Sequence, residues 1–308
     1  MELTQHKCVR CRRNAVYHRK YSGEYLCGSC FKKSIIEKTR HTISKYDMIR
    51  YGEKIAVAVS GGKDSLSLLD VLSRITPGHG EKIVVITVDE GIADYRDEAM
   101  KLVARMTSKL GLTYEVVSFK SIFGFTLDDA LENKDRIASA CAVCGILRRR
   151  AIDIAAKNIG ADLIATAHNL DDFLQTFLIN LTSGDSRRLE FLDPGFKPQL
   201  NMPRRIKPFV ELYEEEIAFY AYLSKIPFQT ISCPYMGEGI RTEIRTFLNN
   251  LERHHTGVKY STLNTSLKLL ERIQVTKPSR RCEECGYPSS SAICSTCKTV
   301  KLIQNQQI

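Results

Sequence analysis

Apolar and polar residues alternate along the chain with two different periods, and each switch of period marks an element. "KIAVAVS" at 54–60 is a short, nearly unbroken apolar run. A run of that kind predicts a strand buried on both faces, as in a parallel sheet. "KIVVITVDEG" (82–91), "TYEVVSF" (113–119) and "ADLIATAH" (161–168) predict three more strands. Between them the period lengthens. Leu68, Leu69, Leu72 and Ile75 recur at helical spacing, and "ADYRDEAMKLVARMTSKLG" (93–111) reads as an amphipathic helix stopped by Gly111. Two further helical segments precede the fourth strand, and "DDFLQTFLINLTSG" follows it. "SIIEKTRHTISKYDMIR" (34–50) predicts a basic connecting helix. From about residue 212 the pattern is helical, through "LYEEEIAFYAYLSKI", "IRTEIRTFLNNLERHH" and "STLNTSLKLLERI".

Strand–helix alternation predicts an α/β fold with a doubly wound parallel sheet. Ligands of such folds sit at the carboxyl ends of the strands. A glycine-rich loop after the first strand, Asp89 in the second and His168 at the end of the fourth all fall there.

Size and charge narrow the picture. The chain has 308 residues, 43% of them hydrophobic, enough for about two domains with a full core. No apolar run reaches the roughly 18 residues of a membrane span. "MELTQHKCVR" lacks the apolar core of a secretory leader. A soluble, cytoplasmic protein with no membrane partner is expected. The net charge of +10, from 45 basic and 35 acidic residues, fits a nucleic-acid partner but equally a generally basic proteome. Two ions held by eight thiolates would bring it to about +6.

Ten of the eleven cysteines form five C-x2-C pairs. In an intracellular chain that spacing points to metal rather than disulfides. Cys8, Cys11, Cys27 and Cys30 predict one four-thiolate zinc site, and Cys282, Cys285, Cys294 and Cys297 a second. Cys141 and Cys144 in "CAVCG" stand apart, and Cys233 in "ISCPYMGEG" is single. Three thiolates leave a structural zinc site unclosed but suit a [4Fe–4S] cluster with one open iron. The residues alone also allow a disulfide or persulfide pair attacked by Cys233, or small buried side chains.

"SGGKDS" (60–65) is the chemical centre of the sequence. A glycine turn between strand and helix presents backbone N–H groups to an anion. Gly61 and Gly62 allow close approach, Lys63 adds a point charge, and the Ser60 and Ser65 hydroxyls can donate. The common phosphate loop has serine or threonine after its lysine. Here Asp64 takes that place. It would repel a bare phosphate, and it fits if it holds Mg²⁺.

"SGGKDS" after a strand resembles the PP-loop of the ATP pyrophosphatases, which grips the β,γ-pyrophosphate as leaving group while the α-phosphorus is attacked. Taken with "CAVCGILRRR", the lone Cys233 and both cysteine modules, the chain from Cys8 to Cys297 resembles the tRNA 2-thiouridine synthetases of the archaeal and thermophile type. The resemblance implies ATP contacts at Ala58, Ser60, Gly61, Gly62, Lys63, Asp64, Ser65, Val88, Arg148 and His168. It implies cluster ligands at Cys141, Cys144 and Cys233, and catalytic roles for these and for Asp64, Asp171 and Asp172. Many relatives read H-N-x-D-D-E at the last site. Here Phe173 follows the aspartates, so any role of that glutamate is absent. His168 could equally finish a strand, and Asp171 and Asp172 could simply favour a helix start.

The implied division is an N-terminal zinc finger (1–33), a linker helix (34–50), a PP-loop catalytic domain (51–236), a helical RNA-binding extension (237–277), a C-terminal zinc finger (278–298) and a tail (299–308). The implied reaction adenylates O2 of a tRNA uridine and then places sulfur at C2, using sulfide held on the cluster. Alternatives are a persulfide relay without a cluster, a cytidine 2-thiolase, and a zinc scaffold that binds RNA without catalysis. The uridine would be the wobble base or one in the T-loop. The sulfur would come from free sulfide or a ubiquitin-like carrier, and a homodimer is a further expectation. Basic runs at 148–150, 187–188, 204–207 and 280–281, with "RCRR" and "HRK" near the start, are the candidate tRNA contacts.

Overall fold

Residues 17–26 form a hairpin, with β1 (Tyr17–Arg19) antiparallel to β2 (Glu24–Leu26). Helix α1 (Gly28–Lys45) starts directly after Cys27, so the cysteine module and the basic helix expected from residue 34 share one continuous element. Phe31, Ile35 and Ile43 give α1 a buried stripe. This computed structural model describes residues 6–76, 82–132, 139–184, 186–189, 192–194, 202–236, 239–272 and 280–305.

The α/β body follows as β3 (Lys54–Ala58), α2 (Lys63–Ile75), β4 (Lys82–Asp89), α3 (Arg96–Leu110), β5 (Thr113–Ser118), the short helices α4 (Phe119–Phe123) and α5 (Leu127–Leu131), α6 (Ala140–Asn158), β6 (Leu163–Ala165), α7 (Leu170–Thr182), α8 (Ser186–Leu189) and β7 (Arg204–Ile206). All five strands are parallel, in the order β5-β4-β3-β6-β7. The doubly wound sheet expected from the alternation is therefore present, with one strand more than the apolar runs predict. The fourth strand is also shorter than "ADLIATAH", because the chain turns into the Asn169 cap of α7 after Thr166.

Alternation within β3 divides the core. Ile55 and Val57 join the large cluster with Leu66, Leu69, Phe173 and Leu174 on one face. Ala56 packs on the other face with Ala155, Ala156, Ile86 and Ile164, where small side chains let α6 lie close to the sheet.

Helix α9 (Glu214–Leu223) packs against α1 and α2. Helices α10 (Ile240–His254) and α11 (Val258–Arg272) pack on α7. The second cysteine module contains β8 (Arg280–Arg281), β9 (Pro288–Ser289) and α12 (Ser295–Gln304). The stretch expected as a polar tail from 299 is thus mostly helix, and Ile303 is buried with Val143, Leu147 and Ala151 of α6. The expected boundaries near 237 and 277–278 lie outside the described residues. Among the described residues, no helix is long and apolar enough to cross a membrane.

Candidate active site

The turn from β3 to α2 carries Ser60–Ser65. Gly61 adopts φ 89°, and a Cβ there would lie 2.6 Å from the Ala99 Cβ, so only glycine fits. Gly62 caps α2 with no side-chain cap, leaving N–H groups at the helix start for an anion. Ser65 Oγ donates to the Gly62 carbonyl at 2.9 Å and accepts from the Ser60 N–H at 3.2 Å. Ala58 and Val88 are strand residues beside the turn, and Val88 is buried.

Carboxylates gather beside the loop. Lys63 Nζ donates to Asp64 Oδ2 at 2.9 Å and to Glu214 Oε1 of α9 at 2.8 Å. Burial opposes the charge on Lys63, but these two carboxylates outweigh it and raise its pKa. Burial also raises the Asp64 carboxyl, with Glu214 and Asp171 adding to the rise against Lys63. Asp172 is pushed up to about 6 by burial, with Asp64 and Glu214 contributing. Asp172 also completes the capping box with Asn169, so the helix-start reading holds for its backbone contacts. Asp171 is engaged elsewhere. It is buried in an ion pair with Lys259 of α11 and accepts the Glu214 N–H at 2.8 Å.

Cys144 and Cys233 pack against one apolar cluster, and Cys141 lies near enough to Cys144 to influence its charge. Cys141 and Cys144 lie in the first turns of α6, and Cys233 lies in the segment after α9. That segment spans both halves of the site. The Gln229 N–H donates to the Gly61 carbonyl at 3.0 Å, and the Tyr235 carbonyl accepts from Cys141 Sγ at 3.7 Å. Burial pushes the Cys144 thiol up to about 11, with Arg148 opposing and Cys233 and Cys141 close enough to add to the rise.

The donor sets differ in kind. In each four-cysteine group the sulfurs lie within 4.8 Å of one another, with Cys285–Cys294 at 3.7 Å and Cys282–Cys297 at 3.8 Å. A tetrahedral zinc ion with bonds of about 2.3 Å spaces its sulfurs at about 3.8 Å, so both groups fit one ion each. Cys141, Cys144 and Cys233 do not close to that spacing. Three thiolates leave a single zinc ion unclosed, whereas a [4Fe–4S] group with one open iron takes three.

His168 Nδ1 pairs with Thr166 Oγ1 at 2.9 Å. His168 is exposed. Crowding by the protein around it, with the cations Lys207, Arg205, Arg148 and Arg241, pushes its pKa down and favours the neutral ring. Arg148 reaches Glu90 at 3.5 Å.

Several basic runs turn inward. Arg19 of "HRK" is 4% exposed and donates to Glu216 at 2.8 Å. Arg204 and Arg205 of β7 pair with Glu53 and Asp153. Arg150 donates to Cys285. The side chain of Arg187 lies outside the described residues.

Sequence reasoning missed three residues that shape the loop. Arg96 donates to the Ser60 carbonyl at 3.0 Å and the Val88 carbonyl at 2.8 Å, and ion-pairs with buried Glu90. Glu214 lies in a stretch that the sequence marks only as helical. For Arg96, the only available signal was an arginine at a helix start, where acidic residues are favoured.

Comparison with known proteins agrees with this geometry. The PP-loop domain family matches residues 32–252, and the N-terminal LIM domain of the 2-thiouridine synthetase TtuA matches residues 7–32. A probable sulfurtransferase of Methanocaldococcus jannaschii is 36% identical over 297 residues, covering 93% of this chain and 85% of that protein. The cytoplasmic tRNA 2-thiolation protein 1 of Drosophila ananassae is 34% identical over 295 residues, covering 94% of this chain and 85% of the relative. The U34-tRNA thiolase NcsA from Methanococcus maripaludis, solved with its [4Fe–4S] cluster, superposes with a TM-score of 0.86 at 30% identity, covering 96% of each chain. On this match the chain belongs to the PP-loop family, in its tRNA-thiolating sulfurtransferase branch.

Proposed function

We propose that the protein is an ATP-dependent tRNA uridine 2-sulfurtransferase. The observation that carries this reading is the segment from Gln229 to Tyr235, which touches the phosphate loop at one end, the cysteine pair at the other, and bears Cys233 between them. An activating site and a sulfur site joined this way suit a reaction in which one carbon is first activated and then thiolated.

Backbone N–H groups at the start of α2, with Lys63, Ser60 and Ser65, hold the β,γ-pyrophosphate of ATP. Asp64 and Asp172 supply carboxylates for Mg²⁺, which offsets the phosphate charge. Uridine O2 attacks the α-phosphorus as N3 loses its proton, and pyrophosphate leaves. Hydrosulfide then adds at C2, and AMP departs with the original oxygen. Cys141, Cys144 and Cys233 would hold a [4Fe–4S] group, which would supply an iron without a protein ligand as a Lewis-acidic place for sulfide. Neutral His168 and the arginines beside it favour an anionic phosphate without exchanging protons at ordinary pH. Zinc in the two four-cysteine groups ties down segments too small to build cores. The uridine leaves its stack to enter the site.

The test is anaerobic thiolation of unmodified tRNA with ATP, Mg²⁺ and sulfide, followed by nucleoside mass spectrometry. The expected product is 2-thiouridine with one pyrophosphate released per sulfur. 2-Thiocytidine, or tRNA binding with no pyrophosphate release, would overturn the reading. Full thiolation by protein free of iron would remove the cluster from the sulfur step and leave free hydrosulfide as the nucleophile.

A further inference from the structure

The ammonium of Lys63 has three N–H donors, and the structure directs them at carboxylates. Asp64 takes it through both oxygens, at 3.1 and 2.9 Å, and Glu214 Oε1 takes it at 2.8 Å. Asp64 is its sequence neighbour. Glu214 comes from α9, a separate element 151 residues later.

Glu214 is set on a firm base. Its own N–H is fixed by Asp171. Two residues on, Glu216 is fully buried and bonded by Arg19 at 2.8 Å and by Tyr21 at 2.9 Å, both from the N-terminal module. The backbone at 214 is therefore held while the side chain, 36% exposed, keeps freedom to turn.

We propose that Glu214 is a positioning residue for Lys63 and a rival of the nucleotide's pyrophosphate for the same ammonium, so that an entering phosphate oxygen must displace its carboxylate. The inference rests on the nucleotide site proposed above. Its physical content is a sign. A carboxylate that merely decorates the site leaves binding unchanged when removed. A metal ligand weakens binding when removed. A rival for Lys63 strengthens it.

The test is calorimetric titration of the full chain with Mg²⁺-pyrophosphate, without tRNA. Glu214→Gln keeps the size and removes the charge. It is expected to bind pyrophosphate about fivefold more tightly than the wild type, the scale of one partly exposed ion pair. Glu214→Asp keeps the charge but is one methylene shorter, and is expected to bind more tightly as well because it no longer reaches Nζ. In turnover, the KM for ATP should fall in Glu214→Gln while kcat does not rise.

Unchanged or weaker binding in Glu214→Gln overturns the proposal. An Asp variant identical to the wild type overturns the direct contact. If the wild type itself binds neither pyrophosphate nor an ATP analogue, the nucleotide reading fails instead. Matching melting curves establish that each variant is folded.

Discussion

Arg150 donates a hydrogen bond to the Sγ of Cys285 across 2.8 Å. The same guanidinium lies 3.6 Å from the centroid of the Tyr287 ring, whose hydroxyl donates to Asp153. Arg150 and Asp153 belong to α6, the helix that opens with Cys141 and Cys144. The C-terminal module is therefore bolted to the element that presents two of the three cysteines proposed to hold the cluster.

Arg150→Met removes the charged donor and the stacked plane together. The expected loss is about 2–3 kcal/mol, from one charge-assisted hydrogen bond and one cation–π contact. Zinc should leave the Cys282 group faster than the Cys8 group when a chelator is added. A chromogenic zinc dye resolves the two phases, and a single unchanged phase would refute the coupling.

Gly61→Ala tests the shape of the loop. The new Cβ would lie 2.9 Å from the Ala99 Cα as well as 2.6 Å from its Cβ, and φ 89° is itself unfavourable for alanine. Backbone movement here costs about 2–4 kcal/mol. Pyrophosphate affinity should drop more than tenfold, because the N–H groups that line the loop move with it. Calorimetry reads this directly.

Asp172 gives activity and stability opposite dependence on pH. Its carboxyl is pushed up to about 6, above the ordinary value near 4. Between those values the folded chain holds a proton that the unfolded chain has released. Stability attributable to this group therefore rises as pH falls from about 6 to about 4. Thiolation should fall over the same interval, since the ionised form is the one proposed to hold Mg²⁺. Asp172→Asn should lower the rate and flatten its acid limb, and also remove that part of the stability slope. Parallel rate and urea-melt series at several pH values check both.

Cys233→Ser separates the metal sites. Iron should be lost, with the absorbance near 400 nm that a cluster gives, while about two zinc ions per chain remain. Elemental analysis of anaerobically purified protein decides it. Retention of all the iron would remove Cys233 from the ligand set.

How far the sequence could be read depended on distance along the chain. The phosphate loop was legible because Ser60 to Ser65 are consecutive. The four-cysteine groups were legible because C-x2-C spacing encodes a knuckle. Strand β3 was legible because it is apolar on both faces. Strand β7 was not, because Arg204 and Arg205 look like surface charge until Glu53 and Asp153 are placed beside them, 151 and 52 residues away in sequence. Arg19 was misread as an RNA contact for the same reason, since its partner Glu216 is 197 residues away. Glu214 and Arg96 belong with these. Each looks like an ordinary helix charge, and each acquires meaning only from a residue on another element.

That long separation between Arg19 and Glu216 also orders events during synthesis. The first cysteine module is complete once Cys30 has been made, whereas Glu216 follows only after most of the chain. At ribosomal speeds of about 5–20 residues per second, the interval is about 10–40 seconds. Through that time the hairpin lacks the Glu216 partner of Arg19. The nucleotide loop waits as well, because Glu214 and Gln229 reach it only after the whole sheet has been translated.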